Sequence, residues 1–75
     1  MSTEQRRAKF VELAEKRVQK TLKDIRLIGN LSNTGNYSYT EKDISKIYRA
    51  LTEELKTMKS RFENDSGNSE AEFKL

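Results

Sequence analysis

From Ser2 to Ile28 the chain contains neither Pro nor Gly, and its apolar residues Val11, Ala14, Val18, Leu22, Ile25 and Ile28 recur at steps of three and four. Residues three and four apart are neighbours on a helix surface, so this set forms one face of a helix of about five turns. A second set, Ile44, Ile47, Tyr48, Leu51, Leu55, Met58 and Phe62, has the same helical spacing. Strands would require apolar residues to alternate with period two. The chain is therefore expected to be all-α. A two-helix antiparallel hairpin, dimerising into a four-helix bundle, follows from two such faces joined by a single reversal.

The reversal is the most distinctive stretch. Gly29 follows Ile28 directly, where a glycine in the left-handed conformation is expected to end the first helix. Asn30, Ser32, Asn33, Thr34, Gly35 and Asn36 come next, and such side chains bond nearby backbone in competition with helix or strand. Thr40-Glu41-Lys42-Asp43 then has the spacing of a capping box, with Asp in place of the usual Glu or Gln. Tyr39 and Ile44 are spaced as a hydrophobic staple across it. At the other end Ser2 and Gln5 are placed to cap the first helix in the same way.

The expected organisation is a hairpin over 1–63, with a helix over about 3–28, a structured loop over 29–40 and a helix over about 41–63. An acidic tail over 64–75, poor in apolar residues, is expected to be disordered. Leu31, Tyr37 and Tyr39 are too apolar for a solvated connector and are expected to pack back over the helix ends. Asn33, Asn36 and Tyr37 are the candidate partner-binding residues of that loop.

The residue types present narrow the chemistry. The chain has no His and no Cys. It thus lacks a side chain that ordinarily titrates near neutral pH, a thiol nucleophile, and the imidazole and thiolate ligands of structural zinc. No glycine-rich phosphate loop is present, and the acidic residues mostly lie off the apolar faces. Glu12 with Lys16 and Lys59 with Glu63 are spaced as surface ion pairs rather than as a catalytic pair. No enzymatic activity, catalytic residue, metal or cofactor is expected. Asn30-Leu31-Ser32, Asn36-Tyr37-Ser38 and Asn64-Asp65-Ser66 match the glycosylation pattern by chance in Asn- and Ser-rich sequence. No long apolar run or secretory signal is read, and a cytoplasmic location is expected.

Charge is unevenly spread. Residues 1–30 carry eight Lys and Arg against four acids, whereas residues 64–75 carry one Lys against three acids. Lys9, Lys16, Lys20 and Lys23 fall on the face opposite Val11, Val18 and Ile25. This basic ridge is either an ordinary solvated helix face or a track for nucleic-acid phosphates. Leu13 and Leu27 lie at or beside it, as scattered exposed leucines or as a second helix contact.

The run Ile25-Arg26-Leu27-Ile28-Gly29-Asn30-Leu31-Ser32-Asn33, followed by Asn36-Tyr37-Ser38-Tyr39-Thr40, resembles a motif in small, functionally unassigned bacterial helical-hairpin proteins. The resemblance covers residues 16–62 and implies a helical hairpin, with no activity or ligand attached. Those proteins often carry Arg just after the Leu-Ser-Asn, where this chain has Thr34. The expected function is that of a small binding or regulatory protein, of the kind mobile elements carry, with itself and another protein as partners. The alternative is a small basic nucleic-acid-binding protein that uses the lysine ridge.

Overall fold

The computed structural model describes residues 2–64, and all regular structure among them is helical. Helix α1 spans Thr3–Gly29, a single 3₁₀ turn spans Asn30–Ser32, and helix α2 spans Glu41–Glu63. At about 1.5 Å per residue, α1 is about 40 Å long and α2 about 35 Å. The chain divides into two units, Met1–Ser38 and Tyr39–Leu75. The expectation of a disordered tail falls, apart from Asn64, outside the described residues.

Both helices start on a reciprocal capping box. The Ser2 hydroxyl oxygen accepts from the Gln5 N–H at 3.1 Å, and Gln5 Oε1 accepts from the Ser2 N–H at 3.0 Å. In α2 the Thr40 oxygen accepts from the Asp43 N–H at 3.1 Å, and Asp43 Oδ2 accepts from the Thr40 N–H at 2.9 Å. The shorter Asp side chain thus closes the box that Glu or Gln usually closes. Each box satisfies N–H groups that have no partner within the helix. Glu4 in α1, and Glu41 and Asp43 in α2, add negative charge to the first turns, while Arg26 and Arg61 lie in the last turns. Those signs complement the helix dipole. Thr21, within the apolar face of α1, donates its hydroxyl to the Arg17 carbonyl at 2.8 Å and so stays satisfied on its own helix.

The end of α1 differs from the expectation. Gly29 is not left-handed: its φ of −61° and ψ of −27° are right-handed helical values. Asn30 keeps similar angles, and its N–H points to the carbonyls of Arg26 and Leu27. The helix therefore tightens into the 3₁₀ turn instead of breaking at glycine. It stops at Asn33, whose ψ of 99° is extended. Asn33 Oδ1 accepts from the Gly35 N–H at 2.9 Å. The Asn33 carbonyl accepts from the N–H groups of Asn36 at 3.1 Å and Tyr37 at 3.0 Å. One asparagine thus supplies the acceptors for three successive loop N–H groups. This local competition with helical hydrogen bonding ends the helix.

No residue among those described is buried. Val11, Leu13 and Ala14 in α1, and Leu51 and Thr52 in α2, are half-buried. Each unit holds one helix, hence one layer. Leu31 remains 46% exposed and Tyr39 38% exposed.

Candidate functional site

Two sets of candidate residues lie in the first unit. The loop set, Asn33, Asn36 and Tyr37, comes together on one turn because the Asn33 carbonyl holds the other two backbones. Asn33 itself has a structural task, since its side-chain oxygen is engaged by Gly35. Asn36 and Tyr37 are exposed and contribute only backbone N–H groups to that turn. Their side chains remain the surface that a partner could read.

The ridge set lies along α1 and is not uniform. Lys20 Nζ is 3.0 Å from Asp24 Oδ2, one turn further on. Lys9 Nζ is 3.9 Å from Glu12 Oε1. Glu12 therefore leans toward Lys9 rather than toward Lys16, the partner its spacing first suggests. Among the described residues Lys16 and Lys23 form no ion pair. The paired side chains stay largely solvated, and such pairs contribute only tenths of a kcal/mol to about 1 kcal/mol. All four ammonium groups can thus be turned to another anion at little cost. Near the start of α1 the Arg7 guanidinium sits over the Phe10 ring, 5.8 Å from its centroid. This cation–π contact partly covers an otherwise exposed aromatic.

A further exposed apolar surface lies on α2. Ile44, Ile47, Tyr48, Leu55, Met58 and Phe62 are all exposed, with Tyr48 at 73% and Leu55 at 56%. Leu51, in the middle of the same face, is half-buried. The sequence expectation assigned this face to the interior of a helical bundle rather than to a binding site. Its signal was already present in the spacing of the apolar residues. Continuous apolar exposure of this kind marks an interaction surface far better than a scattered exposed leucine does.

The described residues hold no cluster of His, Cys, Asp or Glu placed to bind a metal. No helix among them is long and apolar enough to cross a membrane. Open grooves run along single helices, such as the one bordered by Ile44, Tyr48 and Thr52. No family model, curated protein or solved structure matches this sequence.

Proposed function

We propose that this chain is a small non-enzymatic regulator that works in the cytoplasm through protein–protein contacts. One observation carries the reading: on the apolar face of α2, Ile44, Ile47, Tyr48, Leu55, Met58 and Phe62 are all exposed. Burial of apolar surface stabilises by about 25 cal/mol per Å², so a face this long favours association with other helices. In this reading the two helices pair as an antiparallel hairpin, and two chains close into a four-helix bundle. Val18, Leu22, Leu51 and Leu55 then become its interior. A chain of 75 residues without Cys has no disulfide to stabilise a small core, and oligomerisation is a common remedy. The exposed side chains of Asn36 and Tyr37 then serve a second, different protein.

Sedimentation tests the assembly. The wild-type chain should be dimeric at concentrations on the order of tens of micromolar, with a melting temperature that rises with concentration. Leu51→Glu places a charge in the proposed interior and should yield a largely unfolded monomer. A well-folded wild-type monomer whose melting is independent of concentration overturns the proposal.

A second reading rests on Lys16 and Lys23, which lack acidic partners among the described residues. It takes the ridge as a track for nucleic-acid phosphates. Four phosphate contacts would give a slope of log affinity against log salt of roughly −3 to −4 on duplex DNA. Changing Lys9, Lys16, Lys20 and Lys23 together to Gln should abolish that binding while leaving the helix content intact. Absence of wild-type binding to duplex DNA or RNA at about 50 mM salt, where such contacts are strong, eliminates this reading.

A further inference from the structure

We infer that α2 packs against α2 of a second copy of this chain, with the two helices parallel and in register. The inference rests on the self-association proposed above and specifies which surfaces meet and in which direction.

The apolar face of α2 is a heptad seam. Ile44, Tyr48, Leu51, Leu55, Met58 and Phe62 follow one another at alternating steps of four and three. Tyr48, Leu55 and Phe62 take one core position of the heptad, and Ile44, Leu51 and Met58 take the other. A continuous α-helix over Glu41–Glu63 carries all six, with no break in the repeat. This periodicity is that of a coiled-coil seam, which is completed by a helix carrying a matching one. A second copy supplies a matching seam by symmetry.

The residues flanking the seam choose the direction. On one side lie Ile47, Glu54 and Arg61, and on the other Ser45, Thr52 and Lys59. In a parallel pair each first-side residue meets the second-side residue five positions further along the partner. Glu54 then faces Lys59 of the second copy, twice by symmetry, and Ile47 faces the Thr52 methyl. In the antiparallel register that keeps all six layers paired, residues on the same side meet. Glu54 then faces the Glu54 of the second copy, and Ile47 faces an arginine. The parallel arrangement pairs opposite charges where the antiparallel one opposes like charges.

The ion pairs within the chain agree with this choice. Glu53 and Lys56 pair with each other at 3.7 Å on the face away from the seam. Glu54 and Lys59 flank the seam and form no ion pair among the described residues. Both stay available to a partner helix.

The chain contains no Cys, so single cysteines report proximity directly. Full-length Ile44→Cys and Phe62→Cys are oxidised separately and then as a mixture. A parallel pair puts each cysteine beside its own copy, within disulfide reach, so each variant alone should form a covalent dimer. The mixture should then contain 44–44 and 62–62 links and lack 44–62 links. In the antiparallel pair the two copies of residue 44 lie about 27 Å apart, so a 44–62 link formed only in the mixture overturns the inference. Glu54→Lys and Lys59→Glu should each raise the dimer dissociation constant roughly tenfold in sedimentation, and the double variant should restore it. A wild-type dimer that gives no cysteine links through α2 overturns this inference alone. A wild-type chain that is monomeric at all concentrations overturns the self-association reading along with it.

Discussion

Gly29→Ala separates two ways of ending a helix by the sign of a single stability change. Gly29 has right-handed helical angles, with φ at −61° and ψ at −27°. A β-carbon added there meets no atom within 4 Å beyond its own local backbone. Alanine can thus adopt the native conformation without a clash. It also removes conformational freedom from the unfolded chain, which contributes about 0.4–1 kcal/mol. Gly29 lies in the last turn, where helical propensity counts for less than in the interior. The lower half of that range, about 0.5 kcal/mol, is the expected gain. For a domain of this size it corresponds to a rise in melting temperature of roughly 2–4 °C. Thermal melting followed by circular dichroism measures it, with wild type and variant at equal concentration because association also shifts the midpoint. Had Gly29 been left-handed, alanine would cost about 1–2 kcal/mol. A lowered midpoint therefore refutes the right-handed end of α1 and the account of how the 3₁₀ turn follows it.

Three further substitutions probe the local structure. Thr40→Ala removes the hydroxyl that caps α2 and should cost about 1 kcal/mol, read from the same melts. Asn33→Ala removes the acceptor for the Gly35 N–H and should cost about 0.5–1.5 kcal/mol, with faster amide exchange at Gly35. Asn33→Asp keeps that acceptor and should keep the protection, so equal loss in both variants argues against the side-chain turn. Lys20→Ala breaks a solvated ion pair and should change stability by less than about 1 kcal/mol, a loss that shrinks as salt is added. A larger, salt-insensitive loss would show that Lys20 acts through packing instead.

What could be read from the residues was what neighbours in sequence decide. Two uninterrupted apolar periodicities fixed two helices, because helical hydrogen bonds and side-chain faces span only three or four residues. The capping boxes at Ser2 and Thr40 were legible for the same reason, since acceptor and donor stand three residues apart. The lysine ridge was legible as a face but not as a set of ion pairs. Glu12 has lysines on both sides, and which one it meets depends on rotamers that spacing does not determine.

The end of α1 needed three-dimensional structure. Glycine allows the left-handed conformation without requiring it. At Gly29 a following 3₁₀ turn satisfies the last carbonyls, and the chain turns instead at Asn33, where side chain and carbonyl together capture three N–H groups. Burial also lay beyond the sequence pattern. An apolar stripe shows that a face calls for cover, but a single helical layer cannot provide it. Leu31 and Tyr39 are 46% and 38% exposed despite their apolar character. Periodicity is a property of one helix, whereas a core is a property of two layers.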